Sequence, residues 1–292
     1  MPGSSSSTVV RRGAPSSAAS APVGVFDSGV GGLTVLRALL ATLPSEHYVY
    51  LGDTARLPYG TKSADSVRRY ALQAAAALRG RGVKCLVVAC NTATAVALDA
   101  LAAGFDPLPV VGVLEPGAVA ACRATRSGRV AVIATEGTVR GGAYERAIRR
   151  LLPDARIVSR ACPMFVALAE EGWTAGPIAE AVAHRYLDDW FGPGAGTGKP
   201  DTLVLGCTHF PMLEPVLQAV AGPDATIVDS ARTTAAAVAD VLGERGLLRT
   251  AGPGDPGRLE LLATDGPERF ARVGSGFLGR PIGTEDVRVV DL

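Results

Sequence analysis

The chain has 292 residues, 48% hydrophobic and 20% charged, which supplies substantial cores and excludes wholesale disorder. Lys and Arg number 29 against 28 Asp and Glu, so a net charge of +1 gives no electrostatic case for nucleic acid. Five cysteines in no regular framework argue against a secreted disulfide scaffold and for a reducing compartment, and no apolar run reaches bilayer-spanning length.

Residues 1–20, with Ser4 to Ser7 and Ser16-Ser17-Ala18-Ala19-Ser20, lack apolar periodicity and read as a disordered tail. No apolar segment follows Arg11-Arg12, so the pair does not read as an export signal. Val23-Gly24-Val25-Phe26 is then a short strand, and Leu33, Leu36, Leu40 and Leu43 recur at helical spacing. Tyr48-Val49-Tyr50-Leu51 follows as a strand. Ser63 suits the cap of a helix whose inner face carries Val67, Ala71, Ala74 and Leu78. Leu86 to Ala89, Val110 to Val113, Val130 to Ile133, Leu203 to Leu205 and Thr226 to Val228 are further strands between helical stretches. The alternation predicts an α/β fold of mostly parallel sheets flanked by helices on both faces. Gly192 to Pro200 and Gly252 to Gly257 read as Gly/Pro-rich loops.

One pattern occurs twice. Leu86-Val87-Val88-Ala89-Cys90-Asn91-Thr92 and Leu203-Val204-Leu205-Gly206-Cys207-Thr208-His209 each run an apolar strand into a cysteine and then into residues suited to opening a helix. Strand-to-helix corners are where open α/β sheets place ligands. The repeat predicts two similar lobes, each giving one cysteine to a shared cleft. Length also favours two domains. The chain can be cut once near residue 115, or the second lobe can be an insertion with the C-terminal part returning to the first.

A helix start beside Cys90 and Cys207 predicts thiol pKa values lowered from about 8.5 towards neutrality, which suits a matched base and acid. Cys85 and Cys122 read as buried packing residues, and Cys162 carries no assigned chemistry. Phe26-Asp27-Ser28-Gly29-Val30-Gly31-Gly32 is a glycine-rich turn whose amides suit an anion, either a nucleotide phosphate or a substrate carboxylate. Gly194 to Lys199 is not a phosphate-binding P-loop, because Pro193 and Pro200 stand where the motif needs Gly and Ser/Thr. No cysteine spacing fits a zinc site, so neither metal nor cofactor is expected.

Six blocks in order resemble the glutamate racemase family of the aspartate/glutamate racemase superfamily, over nearly the whole chain after the tail. They are Val25 to Gly32, Gly52 to Gly60, Ala89 to Thr94, Ala134 to Val139, Cys162 to Glu170 and Gly206 to Pro211. Ala167 departs from the proline often seen in its block. The resemblance implies cofactor-independent racemisation of L- and D-glutamate, with Cys90 and Cys207 as catalytic acid/bases on opposite faces of the substrate Cα. It implies Asp27 as the group assisting Cys90, and His209 with Glu170 as those assisting Cys207. Asp27, Ser28, Tyr59, Gly60, Asn91, Thr92, Thr135, Thr138 and Thr208 resemble the substrate-binding set. The resemblance further implies supply of D-glutamate for peptidoglycan synthesis, a cytoplasmic homodimer and no nucleic-acid or membrane partner. Its fold is two α/β lobes with the ligand between them, here 21–114 plus 229–292 and 115–228.

Other functions make different demands. An aspartate or hydantoin enzyme keeps both cysteines but lacks the Pro58-Tyr59-Gly60 block, whereas a non-catalytic binder loses one cysteine. A cysteine hydrolase needs one thiol with its histidine and no second thiol facing it.

Overall fold

A computed structural model describes residues 18–252 and 254–292. Most of the expected tail, residues 1–17 with Arg11 and Arg12, lies outside the described residues. The last part of that stretch is not loose, because Ala19 is buried and its carbonyl accepts a hydrogen bond from Lys84 Nζ at 2.6 Å.

The chain opens as β1 (Val23–Asp27), α1 (Leu33–Thr42), β2 (Tyr48–Gly52), α2 (Ala64–Arg79), β3 (Cys85–Val88), α3 (Asn91–Phe105) and β4 (Val110–Gly112). Helix α4 (Leu114–Ala124) leads to β5 (Arg129–Ala134), α5 (Glu136–Gly141), α6 (Ala143–Leu151), β6 (Arg156–Ala161) and α7 (Pro163–Glu170). There follow α8 (Pro177–Phe191), β7 (Thr202–Gly206), α9 (Glu214–Ala221) and β8 (Thr226–Asp229). The chain then returns through α10 (Ser230–Glu244), β9 (Leu259–Ala263), α11 (Pro267–Leu278) and β10 (Val287–Val289).

Two sheets result, one ordered β10-β9-β2-β1-β3-β4 and the other β6-β5-β7-β8. Every strand pairing among the described residues is parallel. The order β2-β1-β3-β4 recurs as β6-β5-β7-β8, so the duplicated cysteine pattern reflects a duplicated lobe. Each sheet reverses direction of growth at its centre, between β1 and β3 in one and between β5 and β7 in the other. The crevice beyond the carboxyl ends of such a pair is where α/β sheets bind ligands.

Strands buried on both faces explain the near-continuous apolar runs. In β1, Val23 and Val25 pack with Leu33, Leu36 and Val238, while Phe26 packs on the other face with Val67, Ala71 and Ala97. In β5, Val130 and Val132 face Ala118 and Ile148, while Ala131 and Ile133 face Phe165 and Leu187. Ser63 caps α2 by accepting from Ser66 N–H, and Val67, Ala71, Ala74 and Leu78 form its buried face. Three strands were absent from the sequence reading. β6 is an edge strand carrying Arg156, Ser159 and Arg160, and β9 and β10 are short and interrupted by Glu260 and Arg288. The stretch 193–198 forms short 3₁₀ turns rather than an extended loop. No helix among the described residues is long and apolar enough to cross a membrane.

A buried ion pair ties the amino-terminal ends of the first sheet together. Lys84 Nζ lies 2.5 Å from Glu46 Oε2, with both side chains nearly inaccessible, and also donates to the Leu247 carbonyl at 2.8 Å. Removing one partner leaves the other charge buried and uncompensated. Lys84→Met should therefore lower unfolding stability by about 3–5 kcal/mol in urea titrations; a change below about 1 kcal/mol would mean that the pair is not buried in solution.

Candidate active site

The two switch points face each other. Asp27 ends β1 and Cys90 follows β3, while Thr135 follows β5 and Cys207 follows β7. They meet at a cavity of about 160 Å³, small beside the ~300–1,000 Å³ of drug-sized sites and suited to a small metabolite. Its wall includes both cysteines with Ser28, Tyr59, Gly60, Asn91, Thr92, Thr135, Thr208 and His209. Pro58, Thr61, Glu136, Pro163 and Val166 complete it, each beside or within a block already singled out in the sequence. Asp27, Thr138 and Glu170 are not part of the wall. Thr138 hydrogen-bonds to Thr92 and Thr135 of the wall, and Glu170 to His209.

The lobes approach so closely that side chains are excluded at two points. A Cβ at Gly31 would stand 2.4 Å from His209 Nδ1, and one at Gly60 would stand 2.8 Å from Thr135 Cβ. Three hydroxyls also span the lobes, with Thr92 Oγ1 at 2.9 Å from Thr135 Oγ1 and 3.2 Å from Thr138 Oγ1. Thr34 of α1 donates to the Thr208 carbonyl at 2.9 Å. Tyr59 is buried, and its hydroxyl donates to Asp53, which also accepts from Thr264 at 3.0 Å and from Arg56. The Tyr59 proton is thus committed outside the cavity.

Cys90 is the N-cap of α3, and its sulfur accepts from Ala93 N–H at 3.4 Å and lies 3.7 Å from Ser28 Oγ. Cys207 differs from the sequence reading. No α-helix starts beside it; a 3₁₀ turn, Phe210–Leu213, intervenes before α9. Its partner is His209, whose Nδ1 lies 3.8 Å from Cys207 Sγ and 3.4 Å from Thr208 Oγ1. His209 Nε2 lies 3.1 Å from Glu170 Oε1, and Glu170 Oε2 accepts from Arg269 at 2.7 Å. The His209 ring also meets the edge of Phe277 at 5.1 Å between centroids. Arg269 carried no signal in the sequence, since it sits in an ordinary amphipathic helix.

Residues 23–238 match the Asp/Glu/Hydantoin racemase family. The chain belongs to that family. It is 50% identical over 270 residues to the glutamate racemase of Geobacter metallireducens, a match covering 92% of this chain and 96% of that one. Among solved structures it is similar to glutamate racemase from Thermus thermophilus in complex with β-chloro-D-alanine, at 43% identity and TM-score 0.82. Glutamate racemase from Francisella tularensis in complex with D-glutamate gives 33% identity and TM-score 0.84. Each of these two matches covers 94% of this chain and 98% of the other.

Burial dominates the electrostatics of this racemase-family cleft. The Cys90 thiol is not lowered as its helix start predicts. Burial pushes it up to about 12 and the Asp27 charge pushes the same way, against the weaker pull of the Ala93 N–H and Ser28. Burial also raises the Asp27 carboxyl, opposed by the His209 charge and by the backbone N–H groups of Gly32, Gly29 and Ser28. The amides of the glycine-rich turn thus serve the chain's own carboxylate, with Gly29 N–H 3.0 Å from Asp27 Oδ2. Asp27 Oδ1 and Asn91 Nδ2 are buried with no hydrogen-bond partner among the described residues.

Burial alone would strip His209 of its proton. Hydrogen bonds to Cys207 and Glu170, with the charges of Cys207 and Asp27, outweigh it and hold the imidazole up to about 10. Burial likewise works against the Glu170 charge, yet His209 and Arg269 hold that carboxyl down to about 2. Cys162 is buried in the second lobe, where burial lifts its thiol to about 12, and Cys122 is half-buried in α4.

These shifts set a pH window. A histidine raised from about 6.5 to about 10 on folding stabilises fully below pH 6.5, and this is lost as pH rises through 10. A glutamate depressed to about 2 stabilises above its unfolded value of about 4.3, and this is lost as pH falls through 2. The stability gap between the native protein and His209→Gln should accordingly be widest near pH 5–6 and narrow towards pH 10 in urea titrations. A gap constant across that range would remove the charged His209–Glu170 pair.

Proposed function

We propose that the chain interconverts L- and D-glutamate without a cofactor, using Cys90 and Cys207 as acid and base on opposite faces of the substrate Cα. The observation that carries this reading is that equivalent corners of two duplicated lobes bring one cysteine each to the wall of a single small cavity. The substrates named for the relatives favour glutamate, as does the Pro58-Tyr59-Gly60 block, whose Gly60 lines that wall.

The chemistry follows from the geometry. Removing the α-proton builds charge next to a carboxylate, and fixed donors in a water-poor cleft stabilise it best. The hydroxyls of Ser28, Thr92, Thr135 and Thr208 supply such donors, while Asn91 Nδ2 suits a carboxylate oxygen of the bound substrate. Inversion needs removal on one face and delivery on the other. For one hand of substrate Cys207 is the base, with the His209 imidazolium beside it, and the Cys90 thiol keeps its proton for delivery. For the other hand of substrate the roles exchange: Asp27 accepts the Cys90 proton, and His209, held by Glu170, returns one to Cys207. Thr138 acts by fixing Thr92 and Thr135.

In this reading residues 21–114 plus 229–292 form one lobe and 115–228 the other. The protein is a cytoplasmic homodimer that supplies D-glutamate for peptidoglycan, needs no metal, and has no nucleic-acid or membrane partner. Circular dichroism of L-glutamate solutions tests the activity directly. Chelator-dialysed protein should invert the substrate, and Cys90→Ala and Cys207→Ala should each lose at least about a thousandfold in rate while melting like the native protein. Near-native inversion by either variant would end the two-thiol proposal.

A further inference from the structure

The cavity wall holds one amide, and its orientation is set from the other lobe. Asn91 opens α3 beside Cys90 and is 3% exposed. A carboxamide presents an acceptor on one side and two donors on the other, so whichever partner claims one side decides what the other side offers. Tyr144 claims the oxygen: its hydroxyl donates to Asn91 Oδ1 at 2.8 Å. The NH2 is then buried and unpaired among the described residues, while Asn91 itself lines the cavity.

Tyr144 is itself 1% exposed and comes from α6, which belongs with the second sheet rather than the first. A Cβ at Gly206 would stand 3.0 Å from its ring, so the ring lies against the end of β7 immediately before Cys207. Burial raises its phenol well above the ordinary value, which keeps the donated proton in place. The phenol thus touches the backbone that carries one cysteine and the side chain adjoining the other.

We propose that Tyr144 is a positioning residue: it holds the Asn91 carboxamide with its NH2 aimed into the cavity, ready to donate to a carboxylate oxygen of the ligand. This rests on reading Asn91 as a substrate contact. Without the phenolic hydroxyl the amide is free to turn and present its carbonyl to the anion, which repels it. Because Tyr144 and Asn91 belong to different sheets, the donor is oriented only while the lobes are held together as seen here. The interaction is made equally with either hand of substrate and with the transition state, so its loss weakens binding rather than chemistry.

Steady-state kinetics in both directions, on the native protein, Tyr144→Phe, Asn91→Ala and the double variant, test the proposal. Tyr144→Phe should raise KM about tenfold for both enantiomers with kcat within about twofold and a melting temperature lower by no more than a few degrees. Adding it to Asn91→Ala should change nothing further, since the hydroxyl acts through the amide. Calorimetric titration with racemic glutamate, which turnover leaves unchanged in net composition, should show the same pattern in Kd. A raised Kd for Asn91→Ala beside a native value for Tyr144→Phe would overturn the positioning role alone. Effects that multiply in the double variant would do so too, leaving Tyr144 a packing residue. A native KM and Kd for Asn91→Ala would remove the amide from the ligand set and the proposal with it. Failure of the native protein to invert glutamate would overturn the proposed function, while the Kd comparison still decides the role of Tyr144.

Discussion

The contact of the two lobes across Gly31 and Gly60 is the constraint on which the site depends. A single methyl at either place would push into His209 or Thr135. Because glycine backbone of one lobe packs directly on side chains of the other at these two points, the cavity between the lobes is small and its polar groups lie where water does not solvate them. Charge in such a place must be paired or given up. Asp27 and Cys90 keep their protons more readily than in water, and His209 remains charged only because Cys207 and Glu170 face it.

Duplication gave the two lobes the same strand order but not the same partners for their cysteines. Cys90 caps a helix and sits near a carboxyl group, whereas Cys207 sits beside an imidazole anchored through Glu170 to Arg269 on α11. The anchor crosses the cleft, as do the Tyr144–Asn91 hydrogen bond and the cluster of Thr92, Thr135 and Thr138. The same contacts that close the lobes therefore orient the groups around each thiol. A resting asymmetry of one protonated thiol and one thiol beside a cation is what the first half of a two-sided proton transfer requires.

Much of this was legible in the residues. Strands buried on both faces leave apolar runs, so β1 to β5, β7 and β8 stood out, and the repeated strand-to-cysteine pattern pointed to the two switch points. β6, β9 and β10 did not, because an edge strand or a short strand with Arg or Glu lacks the same signature. The return of the C-terminal segment to the first sheet came from the family resemblance, not from spacing. The helix start does pull the Cys90 thiol down through the Ala93 N–H, but a sequence shows the capping position and not the burial that outweighs it. Tyr144 and Arg269 were invisible for a related reason: their roles lie in contacts with the other lobe, about 50 and 100 positions distant in the chain.

In the proposed mechanism two monoprotic thiols act from opposite sides of one carbon. If so, the proton that one removes is not the proton that the other delivers, and the delivering thiol has exchanged with solvent before turnover. L-glutamate converted in heavy water to only a few per cent, then separated by hand and weighed by mass spectrometry, reports this directly. The D-glutamate formed should carry deuterium at Cα while the remaining L-glutamate stays unlabelled. Substantial unlabelled D-glutamate would mean that one group carries the original hydrogen across the carbon, and would contradict the assignment of Cys90 and Cys207 as independent acid and base.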